Sequence, residues 1–136
     1  MALAEALSRL VAIGVGCRAG VQGEAIAALV RRALEELKAP EGQRRLFTLV
    51  DKAAEPGLID AARRLRAPLT ALPLAALEAE EARILTRSRA AERRFGTASV
   101  AEAAALAGAG PGGHLLGPRV KADGATCAVA LSAEQP

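Results

Sequence analysis

Leu10-Val11-Ala12-Ile13-Gly14-Val15-Gly16-Cys17-Arg18-Ala19-Gly20 is the stretch whose reading decides the fold class of this chain. Leu10 to Gly16 is a continuous apolar run that ends in glycines, the pattern of a β-strand running into a turn. From Glu24 to Lys38 the apolar positions Ile26, Leu29, Val30, Ala33 and Leu37 recur at helical spacing, so the opening reads as strand, turn, helix. Ala39-Pro40-Glu41-Gly42 breaks that helix. A second strand from Arg45 to Asp51 follows, then a second helix from Glu55 to Leu65 with Pro56 in its first turn, where no backbone donor is lost. Pro68 opens a short third strand that ends at Leu72, and after Pro73 comes a helical stretch rich in Ala, Leu and Glu.

Beyond Ser88 the composition turns Arg-rich. Ser99 is then placed as an N-cap with Glu102 three residues on, the reciprocal arrangement of a capping box, ahead of a helix from Val100 to about Ala107. A loop through Gly108, Gly110, Pro111, Gly112 and Gly113 leads to two strands, His114 to Val120 and Ala125 to Leu131, joined as a hairpin at Ala122-Asp123-Gly124. Strands alternating with helices imply parallel pairing, and the hairpin adds an antiparallel pair. The expected fold is α/β: a three-layer α/β/α arrangement with a mixed, mostly parallel sheet of about five strands, in one domain over 1–136.

Composition narrows the function. Of 136 residues half are hydrophobic, yet Phe47 and Phe95 are the only aromatic ones, so the core is aliphatic and the chain has almost no rings on which to stack bases. The formal charge of +3 comes from 18 basic and 15 acidic residues that are mostly interleaved, a weak field that suits an anionic partner without proving one. Arg83, Arg87 and Arg94 would share a helical face beside Arg93, but interspersed glutamates and the lack of a recognition motif make this a solvated face rather than a nucleic-acid surface. The longest apolar run is far too short to span a bilayer, and although Gly14-Val15-Gly16-Cys17 imitates a lipoprotein cleavage site, the charge and length ahead of it do not fit one. Neither nucleic acid nor membrane is an expected partner. Cys17 and Cys127 stand far apart and in no metal-ligand spacing, so reduced thiols in a cytoplasmic protein are expected, with no metal and no cofactor.

Candidate chemistry gathers where the strands end. Gly14, Gly16 and Gly20 would permit positive φ and close backbone approach, and Arg18 would offer a forked donor to a carboxylate. The dinucleotide fingerprint fails at Ala19, and no phosphate-loop ending is present. The same glycines also suit a tight turn with no ligand. Cys17, next to Arg18 and near the start of a helix, would be a nucleophile if its thiol pKa were lowered, although a small buried thiol at a strand end is the plainer reading. The sole histidine, His114, reads as a loop residue rather than a general base. Thr48, Lys52 and Glu55 fall at the end of the second strand, so Lys52 is either a point charge for a carboxylate or half of a solvated salt bridge.

Gly14-Val15-Gly16-Cys17-Arg18-Ala19-Gly20, Lys52-x-x-Glu55-x-Gly57-Leu58, Ser99-Val100-Ala101-Glu102-Ala103-Ala104-Ala105, and Lys121 before Thr126-Cys127-Ala128 together resemble, in order, the CobE family, which matches the C-terminal domain of the CbiG proteins of cobalamin (vitamin B12) biosynthesis. The resemblance runs from Val11 to about Leu131. It implies a role in building the corrin ring, with a corrin or precorrin intermediate, metal-free in the aerobic route, as ligand. Other enzymes of the pathway are the further partners it suggests. CbiG proteins open a lactone on a ring-contracted cobalt intermediate and release acetaldehyde, but the resemblance covers only their C-terminal part. Where the family often has a second arginine after the one matching Arg18, this chain has Ala19. On this reading Gly14, Gly16, Cys17, Arg18, Gly20, Thr48, Lys52, Glu55, Ser99 and Glu102 make up the ligand-binding set. The expected function is to bind a corrin intermediate as carrier or accessory factor. The alternative is a precorrin hydrolase or isomerase by analogy with CbiG.

Overall fold

The apolar opening run forms strand β1, Leu10–Cys17, in the computed structural model, which describes residues 9–89, 93 and 99–134. Helix α1 (Gly23–Glu36) follows, then β2 (Gln43–Leu49), a 3-10 turn at Val50–Lys52, α2 (Pro56–Leu65) and β3 (Leu69–Leu72). The second half holds α3 (Leu74–Glu78), a 3-10 turn at Glu81–Arg83, α4 (Val100–Ala109), β4 (His114–Leu115), β5 (Val120–Ala122) and β6 (Ala125–Leu131). Local chemistry explains the boundaries. Pro56 sits in the first turn of α2, and both α1 and α2 stop at a residue in the left-handed region, Lys38 and Arg66, each with φ 53°.

The six strands form one mixed sheet in the order β3-β2-β1-β6-β4, with β5 also paired to β6. Only β1 with β2 and β2 with β3 pair in parallel, whereas β6 is antiparallel to β1, β4 and β5. The sheet is therefore less parallel, and has one strand more, than the sequence pattern implies. The extra strand arises because the expected run from His114 to Val120 is broken around Gly117-Pro118, where proline has no N–H for a ladder. Leu115 lies opposite Ala130 and Val120 opposite Cys127, so four residues bulge out where β6 has two. The hairpin turn itself is as expected: Ala122 faces Ala125 across Asp123-Gly124, with Gly124 at φ 76°.

Alternation along β1 divides the core into two layers. Val11, Ile13, Val15 and Cys17 pack with Ile26 and Val30 of α1 and Leu58 and Ala61 of α2. Ala12 belongs to the opposite layer, with Phe47, Leu49, Leu77, Ile84 and the alanines of α4. On that face β1 carries Leu10 and then the small residues Ala12, Gly14 and Gly16, where α4 comes very close: a Cβ on Gly14 would overlap the Ala101 carbonyl oxygen and stand 2.6 Å from the Ala105 nitrogen. Gly14 is thus a packing residue. Gly16 is different again, since a Cβ there would meet the Thr126 Oγ1 at 3.1 Å and the Val100 Cβ at 3.5 Å. Neither has positive φ, because both lie in the extended strand paired with β6.

The start of α4 is held by polar contacts rather than by bulk. Ser99 accepts the Glu102 N–H at 3.3 Å, which is half of the expected capping box. The Glu102 carboxylate goes elsewhere. Fully buried, it accepts the N–H groups of Leu85 and Thr86, both at 2.8 Å on Oε1, and of Arg119 at 2.9 Å on Oε2. One side chain on α4 thereby ties down both the segment after the 3-10 turn and the bulge between β4 and β5.

Two outcomes follow from this packing. Gly14→Ala is expected to cost at least the roughly 1–3 kcal/mol typical of overpacking, and Gly16→Ala clearly less, as read from denaturant midpoints of the two variants. Glu102→Ala is expected to cost about 3 kcal/mol in the same measurement, because three amides lose their acceptor at once.

Candidate functional site

Strand β1 continues past its parallel neighbour, and the ends of the two strands frame the candidate site. Parallel pairing with β2 stops at Gly14 with Phe47, and the next carbonyl on that side, Val15, is taken by the Thr48 Oγ1 at 2.8 Å. Thr48 is wholly buried, so its hydroxyl closes the sheet rather than facing outward. Beyond this point β1 stays paired with β6 as far as Cys17 with Ala125. The chain then leaves the sheet through Arg18, Ala19 and Gly20, all exposed.

That turn is held from two sides. The Arg18 N–H donates to the Gly124 carbonyl at 2.7 Å, and the Gly20 N–H donates to Glu55 Oε1 at 2.8 Å. Gly20, at φ 85°, is the glycine of the opening stretch that needs a left-handed backbone, and it has open space beside it. Glu55 is the N-cap of α2, and its own N–H donates to the Lys52 carbonyl at 3.1 Å, so the end of β2 and the turn after β1 are one connected unit. Two amides that sequence reasoning offers to an anion are therefore already used inside the protein. Helix α1 begins only at Gly23, which also removes its N-terminus from direct reach of Cys17.

The structure brings Cys17, Gly20, Lys52 and Glu55 into one neighbourhood, while the side chain of Arg18, next to Cys17 in the chain, lies by Gly124. Cys17 is 9% exposed, and burial pushes its thiol pKa up; the positive charge of Lys52 pulls it part of the way back and Glu55 adds to the rise. The direction is opposite to that of an activated thiol. Cys127, deeper in the same core layer, is pushed up to about 12 by burial alone. Gly14, Thr48, Ser99 and Glu102 stand apart from the exposed rim. All four are buried, the first under α4 and the others with side-chain hydrogen bonds inside the protein.

Ion pairs take up part of the charged surface. Arg32 pairs with Glu36, Arg64 with Asp60, Arg83 with Glu80, and Arg87 with Glu81. Arg83 also donates to the Gly113 carbonyl. The helical face expected for the arginine stripe does not form, since Arg83 ends a 3-10 turn and Arg87 lies outside any helix; these two are ion-paired, and Arg94 lies outside the described residues. Among the described residues no acid forms an ion pair with Arg18 or Lys52. Gly124 is the residue that sequence reasoning left out of the site. Its signal, the Asp-Gly turn, was legible as a hairpin, but nothing local shows that the turn folds back onto Arg18.

Comparison with known proteins shows the family. A family model described as the cobalamin synthesis G C-terminus matches residues 11–130. The CobE protein of Sinorhizobium sp. is 34% identical over 119 residues, covering 87% of this chain and 77% of that protein. The crystal structure of CobE, a protein from the cobalamin (vitamin B12) biosynthetic pathway, superposes with a TM-score of 0.83 at 38% identity, covering 94% of each chain. The cobalamin biosynthesis protein chiG from Agrobacterium tumefaciens superposes with a TM-score of 0.68, also at 38% identity, over 90% of this chain and 98% of that one. No helix among the described residues is long and apolar enough to cross a membrane. With the fold, the ordered motifs and the family model in agreement over nearly its whole length, the chain belongs to the family of the cobalamin synthesis G C-terminus and CobE, and is a protein of cobalamin biosynthesis.

Proposed function

We propose that this protein binds a metal-free corrin-ring intermediate at the C-terminal ends of β1 and β2 and acts in the cytoplasm, as a single domain, as a carrier or accessory factor that passes the ring between pathway enzymes. The observation that carries this reading is that Arg18 and Lys52 follow the C-terminal ends of the neighbouring parallel strands β1 and β2, neither of them in an ion pair among the described residues. A corrin precursor bears several acetate and propionate carboxylates around an extended apolar ring. An arginine fork and a lysine point charge recognise such carboxylates from two directions. Because the Arg18 and Gly20 amides are already used, recognition rests on these side chains rather than on a backbone cradle.

The buried thiol supports binding over hydrolysis. A thiol nucleophile needs a lowered pKa and access, and Cys17 has neither. Alkylation of Cys17 by iodoacetamide is expected to be slow near neutral pH and to rise only above the range of an ordinary free thiol, because only the thiolate reacts. A titration of the modification rate by mass spectrometry checks this, and fast labelling at pH 7 would return Cys17 to the list of nucleophiles.

Arg18→Ala and Lys52→Ala are each expected to weaken binding of a metal-free corrin polycarboxylic acid about tenfold or more where the contact is desolvated, and by much less where it stays wet. Added salt is expected to weaken the wild type more than either variant, since more ionic contacts are screened. Absorbance titrations at two salt concentrations measure both effects, and mass spectrometry of the released ring is expected to show it unchanged. Wild-type affinity in both variants at low salt would remove this turn from the site, and a converted ring would establish an enzyme instead.

A further inference from the structure

Arg119 stands out among the cations. Its Nε is buried and has no hydrogen-bond partner, the one buried side-chain nitrogen or oxygen in that state among the described residues. A buried N–H without an acceptor in the chain is destabilising unless water or a ligand supplies one. The residue itself is half-buried, so part of the side chain remains reachable. Glu102 is not that partner. Its two oxygens already hold the amides of Leu85, Thr86 and Arg119 itself, and it forms no ion pair with the guanidinium.

The position of Arg119 is set by the fold with some care. The bulge between β4 and β5 turns its N–H away from β6 and onto Glu102, while the next residue, Val120, packs into the opposite core layer with α1 and α2. Arg119 thus enters β5 directly, and β5 leads through Ala122 and Asp123 to Gly124, whose carbonyl holds the Arg18 amide and where an added Cβ would stand 3.8 Å from the Arg18 Cδ. Along an extended strand Arg119 and Ala122 are roughly 10 Å apart. A ring with carboxylates around its whole rim spans such a distance.

We propose that Arg119 is a second anion contact of the ligand site: its guanidinium receives one peripheral carboxylate of the ring at the β5 side while Arg18 receives another at the end of β1. This rests on the reading of the site given above. Glu102 acts as the positioning residue, because it fixes the Arg119 backbone without spending the guanidinium charge.

The test compares a metal-free corrin polycarboxylic acid with its neutral methyl ester, titrated into wild type and the variants Arg119→Met, Arg119→Lys and Arg18→Ala. Arg119→Met keeps most of the apolar stem, and its melting temperature and circular dichroism report whether the fold is retained. Arg119→Met is expected to bind the acid about tenfold or more weakly and the ester as wild type does, with Arg119→Lys in between. A loss that is equal for acid and ester would mean a structural role and overturn the proposal. Wild-type affinity for the acid in Arg119→Met, alongside a loss in Arg18→Ala, would overturn the proposal and leave the first-turn site standing. Failure of the wild type to bind the acid at all would overturn both. A loss in Arg119→Met with none in Arg18→Ala would support Arg119 and move the site away from the first turn.

Discussion

The approach of helix α4 to strand β1 at Gly14 is the contact on which the rest of this structure depends. No side chain fits between the Gly14 α-carbon and the backbone of Ala101 and Ala105, so the helix rests on the strand with only hydrogen atoms intervening. Such closeness suits an alanine-rich helix, which has little bulk to bury and gains from dense packing instead. The small face of β1, Ala12, Gly14 and Gly16, and the run Ala103-Ala104-Ala105 are two halves of one arrangement.

That contact also decides what surrounds the candidate site. With Val100 next to Gly16, the first turn of α4 lies at the same end of the sheet as Arg18 and Lys52. Glu102, two residues further along the helix, then collects amides from two segments that are distant in sequence, 17 residues away on either side. A buried carboxylate is costly unless its oxygens are fully engaged, and three N–H donors from the main chain engage them. In return the residues around Leu85 and Arg119 are held against α4 without a cation being consumed.

Several surface arginines are matched by acids close by in sequence, as Arg64 is by Asp60 and Arg83 by Glu80. Exposed pairs of this kind add little stability and mainly neutralise the surface. At the sheet end Glu55 is instead hydrogen-bonded to the Gly20 amide, which leaves Lys52 and Arg18 without a partner acid among the described residues.

The order of strands and helices, the turn after β1, the proline start of α2, the hairpin at Asp123-Gly124 and the grouping of Arg18, Lys52 and Glu55 at strand ends were all legible in the sequence by itself. Each is written in local spacing: apolar periodicity, a proline, or a turn dipeptide. The ordered motifs added the family in the same way. Other features were decided only by the tertiary structure. A glycine looks the same in sequence whether it serves a left-handed turn, as Gly20 does, or a helix pressed onto a strand, as Gly14 does, and only the neighbour across space tells them apart. Ser99 and Glu102 read as a reciprocal cap, yet the carboxylate turned to amides that no local window contains. The antiparallel place of β6 beside β1, the Thr48 hydroxyl on Val15 and the unpaired guanidinium of Arg119 likewise depend on partners far off in the chain. Backbone and side-chain groups bind whatever acceptor the packed core brings within about 3 Å, and that choice is made by the fold as a whole.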